Sequence, residues 1–218
     1  QLAEKPGAEL ERPLPPVRIE VDPVNTARTT SRLELDRSRP IAVFCPGAEY
    51  GPAKCWPARH FGALSRLLAT RGYAIWLIGS GKDAELGEEI RAHSGDTCDN
   101  LCGKTDLAAA IDLIACASLV VSNDSGLMHV AAALGKPLVA LYGSSSPAHT
   151  PPLSLSSQPG LTRIAKIDIA CSPCFARECP KGHFKCMNDL LPAHVLAEID
   201  VMGAPAGAGN GSELGQAI

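Results

Sequence analysis

Short apolar or β-branched runs punctuate the middle of this chain at Ile41–Cys45, Tyr73–Ile78, Leu119–Ser122, Pro137–Tyr142 and Thr162–Ile167, with a weaker one near Cys98–Leu101. Helical patterns fill most of the gaps. Pro57 can open the first helix, where a missing N–H does no harm, and Phe61, Leu64, Leu67 and Leu68 recur at helical spacing until Gly72. Further helices are expected at about 83–93, 106–115, 125–134 and 192–201. Runs that alternate with helices in this way make βαβ units, so the expected fold class is α/β, a Rossmann-like parallel sheet with helices on both faces.

The flanks differ. Residues 1–40 carry Pro6, Pro13, Pro15, Pro16, Pro23 and Pro40 among many charges, with little apolar periodicity. They read as a linker or the remnant of a missing domain, poorly ordered in part. A Gly/Ala-rich tail over 203–218 is expected to be disordered. At 218 residues the chain suits one compact core plus such tails.

Composition excludes some functions. Twenty Lys and Arg against 23 Asp and Glu give a formal charge of −3, and no basic stripe with interleaved aromatics appears, so nucleic acid is not an expected partner. No apolar run approaches the roughly 20 residues that span a bilayer, and the N-terminus is Pro-rich and acidic rather than a secretion signal. The expected location is cytoplasmic. Cys45, Cys55, Cys98, Cys102 and Cys116 are scattered, unlike an extracellular disulfide framework.

In a parallel α/β sheet, ligands bind beyond the carboxyl ends of the strands. The strongest such junction is Val120-Val121-Ser122-Asn123-Asp124-Ser125-Gly126-Leu127-Met128-His129. First-turn N–H groups of the helix it opens lack partners, and Gly126 lets a ligand approach, so an anion such as a diphosphate suits the place. His129 follows Ser125 by about one turn. The plainer reading is that Asp124 or Ser125 caps the helix and His129 is a surface residue. A second junction, Cys45 to Pro57, holds Gly47, Gly51, Lys54 and Trp56; Lys54 can reach a phosphate on the same edge or be merely solvated. Gly79-Ser80-Gly81-Lys82-Asp83-Ala84 matches a dinucleotide fingerprint but follows the second strand, and Cys98–Thr105 has Cys98 where a P-loop needs glycine. Both are rejected. No Asp-x-Asp pair exists to bind a diphosphate-bound metal.

Together, CPGAEYGPAKCWP, IGSGKDAE, NLCGKTDL, VSNDSGLMHVAAALGKPLVALYGSSSP and TPPLS resemble the ADP-heptose:lipopolysaccharide heptosyltransferases of glycosyltransferase family 9, most closely the heptosyltransferase II type, over about residues 40–200. The resemblance implies a GT-B enzyme whose C-terminal domain, the part present here, binds the ADP-sugar over residues 41–202. The acceptor domain and its general base would lie elsewhere, so no catalytic residue is expected in this chain. Lys54, Asp83, Asp124, Ser125, Gly126 and His129 are implied donor contacts. Also implied are a heptose donor, the inner core of lipopolysaccharide as acceptor, a Gram-negative source, peripheral association with the cytosolic face of the inner membrane, and no cofactor for catalysis. This sequence departs from the common pattern at Cys55 and Ser144, neither a proposed ligand. The rivals are a GT-B sugar-nucleotide epimerase and a non-catalytic nucleotide- or metal-binding module.

Cys171, Cys174, Cys179 and Cys186 crowd into sixteen residues with His183 among them. Four thiolates can hold a structural zinc or an iron–sulfur cluster, or they can form a metal-free thiol or disulfide cluster. Their expected role is stability. For the donor site, replacing Lys54 or His129 by alanine is expected to weaken ADP binding by roughly 1.5–3 kcal/mol while scarcely moving the melting temperature.

Overall fold

The computed structural model describes residues 19–153 and 160–203. The tail at 204–218 and residues 1–18 lie outside it. Six strands, β1 (Ile41–Cys45), β2 (Ala74–Leu77), β3 (Cys98–Asn100), β4 (Leu119–Asn123), β5 (Leu138–Leu141) and β6 (Thr162–Ala165), form one all-parallel sheet. Its order is β3-β2-β1-β4-β5-β6, so the sequence reverses direction between β1 and β4. That gap is the switch point at which a doubly wound sheet opens a crevice.

Both faces of the sheet are covered, which is why β1, β2 and β5 read as unbroken apolar runs. Ala42 and Phe44 of β1 face one cluster, built with Phe61, Leu64 and Leu68 of α2 (Ala58–Thr70), Ile90 of α3 (Ala84–Ser94) and Val195 and Ile199 of α7 (Pro192–Met202). Ile41, Val43 and Cys45 face the other, with Leu113 and Ile114 of α4 (Leu107–Ala115) and Met128, Ala131 and Ala132 of α5 (Gly126–Ala133). A further single turn, α6, spans Lys185–Asn188.

The N-terminal flank, expected to be poorly ordered in part, holds an element that the sequence pattern did not signal: Pro23–Arg32 form helix α1. Asp22 caps it through its side chain, accepting from the N–H groups of Val24 and Asn25. Its buried face is Thr26, Thr29 and Thr30, and it is latched to α4 because buried Asp112 accepts from Asp22 N at 2.9 Å and from the Asn25 amide. A helix held by threonines and a carboxylate has no apolar periodicity to detect.

Candidate donor-nucleotide site

β4 ends at Asn123 and α5 begins at Gly126, so Asp124 and Ser125 form a two-residue turn at the switch point. Ser125 holds the N-cap position in extended backbone, but no side chain caps the helix. The Ser125 hydroxyl instead lies 3.4 Å from that of Ser122. The plain capping reading is therefore not what the chain builds, and the first-turn N–H groups of α5 meet no capping side chain. A Cβ placed on Gly126 would touch nothing within 4 Å, so protein packing does not demand glycine there. The open space lies where a ligand would approach.

A cavity of about 710 Å³ opens beside this turn, lined by Ser125, Gly126 and Leu127 on one side and by Gly47, Ile78, Gly79, Asp83, Thr105 and Leu107 on others. These residues come from the loops after β1, β2, β3 and β4. Asp83 nests its carboxylate between two glycines: a Cβ on Gly47 would fall 2.5 Å from Oδ1, and one on Gly79 would fall 2.9 Å from Oδ2. Ser80 donates to Oδ2 through both N–H and hydroxyl. The dinucleotide-like stretch is thus a capped turn.

Lys54 and Asp124 are 70 residues apart in sequence and joined in space. Lys54 Nζ donates to Asp124 Oδ2 at 2.6 Å, with side-chain exposures of only 14% and 3%. Thr150 Oγ1 donates to the same oxygen at 3.1 Å. Asn123 fixes the loop that carries the lysine: its Oδ1 accepts from Trp56 N at 3.1 Å, and its Nδ2 donates to Pro46 O at 2.6 Å, pinning both ends of that loop to β4. Trp56 is fully buried and donates from Nε1 to Leu190 O at 2.6 Å. His129 is exposed one turn into α5 and has no hydrogen-bond or ion-pair partner among the described residues.

Of the residues singled out from sequence, Asp83, Ser125 and Gly126 line the cavity, and Lys54 and Asp124 form a pair adjoining it. Sequence reasoning gave no role to Asn123, to Thr150 or to the cavity wall at Thr105–Leu107. Thr150 stands in the TPPLS motif that carries the family resemblance, which was its one signal. The cavity also contains the Cys45 thiol, which burial pushes well above the usual thiol range, while burial raises Cys102 to about 12. Neither is a nucleophile at neutral pH.

The four clustered cysteines lie on the segment after β6. Backbone N–H groups, led by that of Phe184 at 3.4 Å from Sγ, lower the Cys179 thiol, whereas burial and then the neighbouring sulfurs of Cys174, Cys179 and Cys171 raise Cys186. The sulfurs are near enough to influence one another. Even so, among the described residues no three His, Cys, Asp or Glu side chains are placed to hold a metal ion together.

A sheet ordered 3-2-1-4-5-6, with an uncapped helix N-terminus and a paired lysine at its switch point, is a Rossmann-like architecture, and it matches one half of a solved GT-B heptosyltransferase. Residues 1–185 match the model of glycosyltransferase family 9 (heptosyltransferase), and the chain belongs to that family. It is 51% identical over 144 residues to lipooligosaccharide heptosyltransferase 2 of Haemophilus influenzae, covering 62% of this chain and 42% of the relative. Lipopolysaccharide heptosyltransferase 2 of Escherichia coli is 41% identical over 203 residues, covering 89% of this chain and 56% of the relative. The solved ADP-heptose heptosyltransferase II of E. coli superposes with a TM-score of 0.75 at 41% identity, over 88% of this chain and 55% of that one. The chain spans about half the length of these relatives.

Proposed function

We propose that this chain is the donor-binding half of an enzyme that transfers L-glycero-D-manno-heptose from its ADP derivative to a heptose of the inner lipopolysaccharide core, with inversion at the anomeric carbon. The observation that carries the reading is the N-terminus of α5, which lacks a side-chain cap and opens beside the 710 Å³ cavity. The nucleoside occupies the cavity, where Ile78, Leu107 and Leu127 offer apolar wall and Asp83 can accept from ribose hydroxyls. The diphosphate lies at the first-turn N–H groups of α5, with Lys54 and His129 on either side of that turn in sequence.

As the glycosidic bond breaks, negative charge grows on the departing ADP. Fixed N–H dipoles and the Lys54 ammonium stabilise that charge without reorganising, and such stabilisation lowers the barrier because it is stronger in the transition state than in the ground state. The base that activates the acceptor comes from the acceptor-binding half. The lipid acceptor places the assembled enzyme at the cytosolic face of the inner membrane; among the described residues no helix is long and apolar enough to cross one.

Joined to an acceptor-binding half, the chain is expected to release ADP from ADP-heptose only when a heptose-bearing acceptor is supplied, and to do so in excess chelator. Alone it is expected to bind ADP without turnover. Transfer by the chain alone would contradict the division of labour, and epimerised free sugar nucleotide would favour the epimerase reading.

We assign the cysteine quartet to stability, with zinc as its candidate occupant. Four thiols are a suitable donor set, but the side chains would have to draw together to close around the ion. Metal analysis of protein purified under reducing conditions checks this: one zinc per chain is expected, lost together with several degrees of melting temperature in Cys179→Ser. Metal-free protein whose stability ignores added zinc would remove the assignment.

A further inference from the structure

The cations at the donor cavity are already spent on neighbours. Lys54 is paired with Asp124, and Lys82 donates to Glu49 at 2.7 Å. Asp83 and Asp106 add two carboxylates to the cavity wall, and neither makes an ion pair among the described residues; Lys82 is near enough to feel Asp83 but donates to Glu49. The wall and its rim are therefore net negative. A nucleoside tolerates that, whereas a diphosphate at the N-terminus of α5 gains from a further positive charge, because the partial charge of one helix end and a lysine shared with Asp124 offset only part of its own.

One unpaired cation stands nearby, on the segment that bears the cysteine quartet. The Arg177 guanidinium lies 5.5 Å from the centroid of the Tyr50 ring, and Lys54 Nζ lies 5.1 Å from the same centroid. Arg177 makes no ion pair among the described residues; the Glu49 carboxylate is near enough to feel its charge but is bonded to Lys82. Its backbone is latched to the Lys54 loop: Arg177 O accepts from Ala53 N at 3.0 Å, and Tyr50 donates its hydroxyl to Phe175 O at 2.9 Å. Gly51 makes that contact possible. Its φ is +151°, and a Cβ there would fall 2.5 Å from Arg177 O.

We propose that Arg177, carried by the cysteine-rich segment, is a phosphate-binding residue of the donor site that contacts the diphosphate of a bound nucleoside diphosphate. This rests on the functional reading above. Guanidinium suits the task because its planar fork donates two parallel hydrogen bonds to a phosphate, which an ammonium cannot do. Tyr50 supports the guanidinium from its ring face, and the backbone latch holds it over the loop with Lys54. The segment then serves the site directly as well as the fold.

Arg177→Gln tests this, because it removes the charge and keeps the backbone carbonyl that Ala53 uses. In calorimetric titrations ADP affinity is expected to fall about 10- to 100-fold, adenosine affinity to stay unchanged, and the salt dependence of ADP binding to flatten. Arg177→Lys should recover part of the loss, and Arg28→Gln, on distant α1, should behave as wild type. Equal ADP affinity in wild type and Arg177→Gln overturns the proposal while leaving the donor site standing. So does an equal loss for ADP and adenosine, which would mark Arg177 as structural. Failure of the wild-type chain to bind ADP at all overturns the functional reading and this inference with it.

Discussion

Lys54→Met is expected to cost about 3–5 kcal/mol of stability as well as most of the ADP affinity, because it leaves the Asp124 carboxylate buried without its counter-ion. The sequence suggested a loop lysine whose loss would leave the melting temperature almost unmoved. Burial of the pair reverses that expectation. The double variant Lys54→Met/Asp124→Asn removes both charges and keeps an acceptor for the Thr150 hydroxyl, so it should regain much of the stability without regaining ADP binding. Urea unfolding separates the two effects, and a single variant as stable as wild type would mean that Asp124 finds water or another partner. His129 is exposed and unpartnered among the described residues, so for His129→Ala the original expectation of weaker ADP binding at unchanged stability still stands.

Asn123→Ala is expected to destabilise the protein by about 2–6 kcal/mol, since two buried backbone groups, Trp56 N and Pro46 O, each lose a partner and each such loss costs roughly 1–3 kcal/mol. Asn123→Asp should do no better. It keeps an acceptor for Trp56 N but sets a carboxylate oxygen against the carbonyl of Pro46. The loop freed by either change carries Lys54, so the protein that remains folded should also bind ADP more weakly. Denaturation midpoints near wild type for both variants would show that water replaces the amide.

Strands buried on both faces were legible because every residue in Ile41–Cys45, and residues 119–121 of β4, face one of two apolar clusters. Their ends shifted by one or two residues, as at β2 and β5, where ladder hydrogen bonds rather than side-chain type set the limits. Helix α1 escaped because Thr26, Thr29, Thr30 and the Asp112 latch leave no apolar stripe. The turn at Asp124–Ser125 was visible as strand, polar turn and helix, yet whether Ser125 caps α5 depends on where its hydroxyl points, and composition does not encode that. The Lys54–Asp124 pair and the Asn123 bridge join residues 70 and 67 or more positions apart, and a single sequence carries no sign of such contacts. Arg177 was hidden for a different reason: the cysteines around it drew the reading toward metal binding.

In the proposed complex the N-terminus of α5 cradles a diphosphate while the adjoining cavity holds the nucleoside. Amide chemical-shift mapping with ADP and with adenosine tests it most directly. Both ligands should move the amides of Gly79, Thr105 and Leu107 around the cavity, and ADP alone should move those of Gly126, Leu127 and Met128, whose N–H groups open the helix. Amides of Gly126 to Met128 that ignore ADP, or that answer adenosine equally, would mean that the diphosphate does not sit at the N-terminus of α5.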